Sequence, residues 1–125
     1  MIVYCCSDLI FSTKIRSTAE HLGVPSRPVR DAQMLRDRLD QVDDGKTSDP
    51  ISGVLIDLDT GETGLALIEQ AKAFDPSLPV IAFGSHVATA LLETARGRGA
   101  DTVMPRSQFT AQLPAILRAY AGPSV

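Results

Sequence analysis

The chain contains no tryptophan, so it has no such ring to stack on a flavin, and it has only two cysteines and no long apolar run. The cysteines are adjacent, at Cys5 and Cys6, and neighbours on a strand point to opposite faces, so a disulfide between them is not expected. Two cysteines cannot supply the four ligands of a structural zinc site. No apolar run approaches the roughly 20 residues that cross a bilayer, which predicts no membrane association.

An excess of positive charge is also missing. Twelve Lys and Arg residues face fifteen Asp and Glu residues, a net charge of −3, so no nucleic-acid partner is predicted. Apolar residues make up 44%, enough for a packed core, and 125 residues suit a single domain over 1–125. The amino-terminal segment enters a strand-like run without a basic leader, which predicts no signal peptide and a cytoplasmic location.

Strand-like and helix-like patterns alternate five times along the chain. Polar residues at 43–50 predict a loop, and the first helix has an apolar stripe made of Leu9, Ile10, Ile15, Ala19 and Leu22. Five βα units predict a three-layer αβα sandwich, a flavodoxin-like doubly wound parallel sheet in the order 2-1-3-4-5. The predicted strands are 2–6, 26–30, 54–57, 79–83 and 102–105, and the later helices are 31–42, 65–74, 87–96 and 108–121.

The segment Gly53-Val54-Leu55-Ile56-Asp57 is the most informative part of the sequence. Its apolar run is typical of a buried parallel strand, and it places Asp57 at the carboxyl edge of the sheet. Ligands and chemistry of open α/β sheets lie at that edge. Residues 6–8 and the ends of the fourth and fifth strands are expected to converge on the same crevice. A carboxylate there serves as a nucleophile, a metal ligand or a helix cap.

With this pattern, the chain resembles the CheY-like receiver domain of bacterial response regulators over nearly its whole length. The most specific segments are 54–57, 78–83 and Gly99-Ala100-Asp101. The resemblance implies a phosphoacceptor Asp after the third strand, and Asp57 occupies that position. It also implies a Ser or Thr after the fourth strand and a Lys after the fifth. Here Gly84 takes the former position, with Ser85 one step away, and Arg106 takes the latter.

Two further family positions are altered. The acidic pair that would hold Mg²⁺ falls on Cys6 and Ser7, with Asp8 at a third, less essential acidic position; a one-residue shift would place the pair on Ser7-Asp8. The aromatic position of the fifth strand is Val103. Cysteine is a poor ligand for Mg²⁺ and Ser7 brings no charge, so no metal and no cofactor are expected, and Asp8 and Asp57 are only weak candidate ligands.

Several roles stay open at this point. Asp57 is either a phosphoacceptor or a structural carboxylate held by Arg106 or by backbone amides, and Arg106 is either a phosphate clamp or a direct salt-bridge partner of Asp57. Asp8 is either a helix cap or a metal ligand. Asp59 is read as a turn or capping residue rather than a metal ligand. His86 is read as a helix-start residue, with a pH-sensitive or ligand-contacting role as the alternative.

The resemblance implies a degenerate receiver, or pseudo-receiver: a non-enzymatic module that acts by protein–protein contact. Its partners would be other signalling proteins, such as a histidine kinase or an output domain. A homodimer would use the face of the fourth helix, fifth strand and fifth helix, with Arg96, Arg98, Gln112 and Arg118 as candidate contacts.

Three alternatives stand beside this one. The first is a slow phosphoacceptor that uses Asp57 with Mg²⁺. The second is a small-ligand or flavin-binding domain on the same architecture. The third is a minor redox role for the thiol of Cys6.

Overall fold

A five-stranded parallel sheet forms the centre of the computed structural model, which describes residues 1–43, 45–47 and 49–122. Its strands run in the order β2-β1-β3-β4-β5, as predicted. Asp57 is the last residue of its strand and pairs with Phe83 of the neighbouring strand. The strands are β1 (Ile2–Cys5), β2 (Ser26–Pro28), β3 (Gly53–Asp57), β4 (Val80–Gly84) and β5 (Thr102–Pro105).

Helices cover both faces of the sheet, which confirms the three-layer architecture. The odd–even alternation of strand side chains divides the core into two clusters: Val3 and Ile56 belong to one, Ile2 and Leu55 to the other. The first cluster packs under α2, α3 and α4, the second under α1 and α5. The helices are α1 (Leu9–Leu22), α2 (Ala32–Leu39), α3 (Glu62–Phe74), α4 (Thr89–Gly97) and α5 (Arg106–Ala119).

The connection between α2 and β3 differs from the prediction. Helix α2 ends at Leu39 rather than near 42, because Gln41 adopts a left-handed φ of 61° that a helix cannot continue. The predicted loop contains a small antiparallel hairpin, in which Val42–Asp43 pairs with Lys46–Thr47 around Gly45. Positions 44 and 48 of that loop lie outside the described residues.

Other helix boundaries also move. A 3₁₀ turn, Leu58–Thr60, follows β3, and α3 begins at residue 62 instead of 65. Helix α4 begins at residue 89 instead of 87, and α5 begins at Arg106 instead of 108. Because α5 begins there, the end of β5 delivers Arg106 directly to the carboxyl edge of the sheet.

The predicted apolar stripe of α1 is wrong at its first two residues. Leu9 is 80% exposed and Ile10 is 84% exposed, whereas Ile15 and Ala19 are buried. The first turn of α1 lies at the carboxyl edge of the sheet, beyond the end of β1, so no strand covers it. Within the described residues, no helix is both long enough and apolar enough to span a membrane.

Candidate functional site

Asp57 is a buried carboxylate whose two oxygens both have partners. The side chain is only 1% exposed, although it lies at the strand end. Its Oδ1 accepts a hydrogen bond from the backbone N–H of Asp59 at 3.0 Å, so Asp57 caps the 3₁₀ turn that follows β3. The Thr60 hydroxyl donates to the Asp57 carbonyl oxygen at 2.6 Å, which fixes the same turn. Backbone and side chain of Asp57 are therefore both held in place.

Arg106 forms an ion pair with Asp57 across the crevice. Its Nη2 donates to Oδ1 of Asp57 at 2.7 Å and to Oδ2 of Asp59 at 3.0 Å. Burial lowers the pKa of Arg106, but the charges of Asp57 and Asp59 outweigh burial and raise the pKa above its ordinary value. The guanidinium therefore stays charged. Of the two roles expected for Arg106, a phosphate clamp or a direct salt bridge with Asp57, the structure contains the salt bridge.

Aromatic rings support the Arg106 side chain from below. Its guanidinium carbon lies 5.8 Å from the ring centroids of both Phe11 and Phe83, within the range of a cation–π contact. Phe83 also stacks on Phe109, with ring centroids 3.9 Å apart, so the aromatic rings that contact Arg106 are continuous with the core. Sequence analysis did not foresee this support, because Phe11 and Phe83 belong to different elements and only the fold brings them together.

Cys6 is hydrogen-bonded to the second carboxylate oxygen of Asp57. Its thiol donates to Oδ2 of Asp57 at 3.3 Å and also lies 3.5 Å from the carbonyl oxygen of Asp8. Burial and the hydrogen bond to Asp57 raise the pKa of Cys6 to about 12. The thiol therefore remains protonated near neutral pH. A redox role needs a lowered thiol pKa, and the structure places this pKa in the opposite direction.

Asp8 caps helix α1. Its Oδ1 accepts from the backbone N–H groups of Ile10 at 2.8 Å and Phe11 at 3.2 Å, the arrangement of an N-cap aspartate. Of the two roles left open for Asp8, the structure contains the cap. Ser7, between Asp8 and Cys6, is exposed and lies at the rim of a neighbouring cleft.

Gly84 ends β4 beside the 3₁₀ turn, where space is tight. A Cβ atom at this position would lie 3.3 Å from Cβ of Leu58, which is 1% exposed. Ser85 is partly exposed, and its hydroxyl accepts weakly from the N–H of Val87 at 3.4 Å. The contact of the Ser85 hydroxyl is therefore within the local turn that follows β4. His86, next along the chain, is exposed at the rim.

Val103 lies in β5 beside Ala82 of β4 and packs, partly buried, against the cluster under α4. It fills a core position with a short aliphatic side chain. The resemblance implies an aromatic side chain at this position, so a ring that changes its orientation is not available here.

The residues present do not fit Mg²⁺, the metal that the receiver fold implies. Such a site needs several oxygen ligands in near-octahedral geometry. Oδ1 of Asp57 and Oδ2 of Asp59 face a guanidinium, and Oδ1 of Asp8 faces two backbone N–H groups. Among the residues that the structure describes, no group of three or more His, Cys, Asp or Glu side chains is arranged to hold a metal ion.

Asp59 is the contact residue that sequence analysis placed only in a turn. It is exposed, follows Asp57 by two positions, and shares the Arg106 guanidinium with it. A signal was present in the sequence: one arginine follows the fifth strand, while two carboxylates follow the third. The pairing itself depends on the side-chain conformation of Arg106, which sequence does not provide.

The proposed interaction face on α4, β5 and α5 contains fewer free charges than expected. Arg98 forms ion pairs with Glu62 at 2.7 Å and Glu69 at 2.8 Å, both on α3, so it is directed away from α5. Arg96 pairs with Glu93 on its own helix and remains exposed. Gln112 and Arg118 are also exposed, on α5.

Solved structures show which fold this is. The receiver domain of NtrX from Brucella abortus matches with a TM-score of 0.74 at 19% identity, covering 99% of this chain and 100% of that one. A longer NtrX structure from the same organism matches with a TM-score of 0.75 at 18% identity; this chain is covered to 96% and spans 26% of the longer one. The phosphorylated cyanobacterial phytochrome response regulator RcpA matches with a TM-score of 0.67 at 15% identity, covering 99% and 96%.

The chain therefore has the CheY-like, flavodoxin-like fold of response-regulator receiver domains. No protein-family model matches it, and no curated protein is significantly similar in sequence. Because one fold hosts many functions, the function has to be argued from the site.

Proposed function

We propose that this chain is a pseudo-receiver, a signalling module that acts by protein–protein contact without an obligatory phosphorylation cycle. One observation carries the proposal: both oxygens of Asp57, the carboxylate at the phosphoacceptor position, already have partners. Arg106 Nη2 and the Asp59 N–H occupy Oδ1, and the Cys6 thiol occupies Oδ2. Attack through Oδ1 would break the ion pair with Arg106, and attack through Oδ2 would displace the Cys6 thiol.

The electrostatics of the crevice support the same proposal. Phosphoryl transfer relies on cations that neutralise the charge of the transferred group, and receivers would use Mg²⁺ for this. Here the single positive charge of Arg106 is already paired with the carboxylates of Asp57 and Asp59, and positions 6 and 7 hold Cys and Ser instead of further carboxylates. A divalent cation would therefore meet a bound guanidinium and too few oxygen ligands. We therefore propose that the domain works without Mg²⁺.

The coupling positions support a module that does not switch on phosphorylation. Gly84 has no hydroxyl to contact a phosphoryl group, and Ser85 is one step away along the chain, which directs its side chain elsewhere. Val103 has no aromatic ring to rotate. Without a hydroxyl at position 84 and an aromatic ring at position 103, a chemical change at Asp57 would not alter the α4–β5–α5 face through these two side chains.

A partner surface is the remaining requirement for such a module. We propose the face of α4, β5 and α5, where Arg96, Gln112 and Arg118 are exposed. The partner would be another signalling protein, such as a histidine kinase or an output domain, or a second copy of this chain. The cytoplasmic location, the lack of enzymatic activity and the lack of a nucleic-acid partner remain predictions. No observation on the described residues favours the flavin-binding alternative.

Intact mass spectrometry after incubation with Mg²⁺ and acetyl phosphate or phosphoramidate tests the proposal. We expect no phosphate-sized mass increase on this chain. RcpA, which has been crystallised in phosphorylated form, serves as the positive control under identical conditions. A Mg²⁺-dependent adduct that disappears in Asp57→Asn would overturn the proposal and establish the slow phosphoacceptor instead.

A further inference from the structure

A second crevice opens at the carboxyl edge of the sheet, on the far side of β1 from Arg106. It lies between the start of α1 and the segment that leaves β2, and it has a volume of about 280 Å³. We call it the arginine cleft and define it by Tyr4, Ser7, Ser12, Arg16, Pro28 and Arg30. Cys6 belongs to its wall and also contacts Asp57, so the two crevices are neighbours.

The charge of the arginine cleft is opposite to that of the chain. The whole chain carries −3, whereas the residues that line the cleft include two arginines and no carboxylate. The two arginines come from different elements: Arg16 from α1, and Arg30 from the segment between β2 and α2. The fold, rather than local sequence, therefore brings the two positive charges to one cleft.

Neither arginine is neutralised as Arg106 is. Arg16 approaches Glu20 only at 4.0 Å, and both side chains of that pair are more than half exposed, so the contact contributes little. Arg30 forms no ion pair within the part of the chain that the structure describes. The carboxylate next to it, Asp31, accepts from the N–H of Met34 as the cap of α2. Two guanidinium groups are thus available to an anion.

Hydroxyl groups and a rigid floor complete the site. Ser7 and Ser12 line the cleft, and Ser12 also lies beside the hydroxyl of Tyr4, which is 3% exposed. The charge of Arg16 acts on that hydroxyl more strongly than the opposite charge of Glu20 does. The floor is sheet backbone: the N–H of Val29 donates to the Tyr4 carbonyl at 2.8 Å. Guanidinium and hydroxyl donors on a fixed floor are the groups that bind phosphate oxygens.

The cleft also has an apolar side. Leu9 lines it and is 80% exposed, so it presents an apolar surface to a ligand in the cleft. A ligand with an organic part as well as an anionic group would cover Leu9. The volume lies near the lower end of the range for small-molecule pockets, which limits the ligand to a few heavy atoms beyond the anionic group.

We propose that the arginine cleft binds a small organic phosphate monoester. Arg16 and Arg30 hold the phosphate dianion, Ser7 and Ser12 donate hydrogen bonds to it, and Leu9 packs against the organic part. The site is independent of Asp57, and its occupancy does not require the pseudo-receiver function proposed above.

Titration of the ¹⁵N-labelled chain, followed by amide chemical shifts, tests the proposal. The probes are inorganic phosphate and glycerol 1-phosphate, with sodium chloride at matched ionic strength as the reference. We expect saturable shifts at Ser7, Ser12 and Arg30 with both phosphates, tighter binding of glycerol 1-phosphate, and no such shifts with chloride. Using Asp57→Asn for one series excludes any contribution from chemistry at that carboxylate.

Single substitutions identify the groups responsible. Arg16→Gln and Arg30→Gln should each weaken binding of both probes by about tenfold or more, because each removes charge-assisted hydrogen bonds. Lys14→Gln removes the same charge from an exposed position on α1 outside the cleft and should leave binding unchanged. Leu9→Ser should weaken glycerol 1-phosphate while leaving inorganic phosphate unchanged.

Three results would overturn the proposal. One is equal shifts with chloride at the same ionic strength. Another is an equal loss of affinity in Lys14→Gln, which would mean general electrostatic attraction. The third is a set of shifts centred on Asp59 and Arg106, which would place the anion in the other crevice.

Discussion

Arg106 and Asp57 form an ion pair that bridges the surface and the core: the Arg106 side chain is 32% exposed, whereas that of Asp57 is 1% exposed. Nη2 of the arginine lies 2.7 Å from Oδ1 of the aspartate. Among the residues that the structure describes, Arg106 is the only charged side chain that contacts this carboxylate. The stability of the carboxyl edge should depend on this asymmetric pair.

Arg106→Gln should destabilise the chain by about 2 to 3 kcal/mol, because it leaves the Asp57 carboxylate buried without a cation. Breaking a fully buried pair costs ~3–5 kcal/mol, and the partial exposure of Arg106 reduces that cost. Urea unfolding measures the loss, with Arg118→Gln as the exposed control.

The double variant Asp57→Asn with Arg106→Gln should recover much of that loss, since it removes the buried charge together with its partner. Additive effects of the two substitutions would mean that Arg106 stabilises the domain through its contacts with Phe11 and Phe83 instead.

Asp8→Ala should cost about 1 kcal/mol of stability, whereas Asp8→Asn should change it by only a few tenths, because asparagine caps helices as well as aspartate does. Thermal unfolding of the three proteins separates them. If the asparagine variant lost as much stability as the alanine variant, the negative charge of Asp8 would matter beyond its two hydrogen bonds to α1.

Gly84→Ala should destabilise the chain by about 1 kcal/mol, since the added Cβ meets the Cβ of Leu58 at 3.3 Å and that side chain is buried. Gly97→Ala is the matched control. It lies in α4 with no atom within 4 Å of the added Cβ, so the gain in helix propensity should stabilise by up to ~0.5 kcal/mol. Opposite signs in urea unfolding are expected; a neutral Gly84→Ala would show that the 3₁₀ turn adjusts.

The Cys6 thiol should react slowly with iodoacetamide at neutral pH, because its pKa is raised to about 12 from an ordinary 9.0. In a Cys5→Ser background, the rate should keep rising with pH well above 9, while the urea-unfolded chain should show an ordinary profile. A folded-state midpoint at or below 9 would mean that the hydrogen bond to Asp57 does not hold the proton.

The same shift fixes the sign of a stability effect. The folded state binds the thiol proton more tightly than the unfolded state does, so the contribution of Cys6 is present below pH ~9 and is lost as pH rises from ~9 towards 12. Cys6→Ser should lack that alkaline loss. Comparison of wild type and variant isolates it from the titration of other residues.

The strands could be predicted because their apolar runs are continuous and short, as in Val54-Leu55-Ile56, and because both faces of a parallel sheet are covered. The sheet order rested on the same alternation of elements. The hairpin between α2 and β3 could not be predicted, because its strands are only two residues long. Gln41 adopts a left-handed backbone conformation, which glutamine residues rarely adopt, so the residue type does not indicate it.

The candidate site could be predicted as a set of positions but not as a set of contacts. Strand ends placed Asp57, Arg106 and Cys6 at one edge, whereas the choice between a phosphate clamp and a salt bridge depends on the conformation of one arginine side chain. The arginine cleft was missed for a related reason, since Arg16 and Arg30 lie on separate elements and become neighbours only when α1 packs beside β2.

Helix α5 begins with an unusual amino end. Pro105 at its N-cap provides no capping side chain, its first turn contains no acidic residue, and its first residue is the cation Arg106. The amino end of a helix favours negative charge, so the cation opposes the helix dipole, and neither a cap nor an acidic residue of the first turn compensates for it. The carboxylates of Asp57 and Asp59 supply that charge from another part of the chain. Any event that neutralises them should make the first turn of α5 fray, and faster amide hydrogen exchange there would report it from a distance.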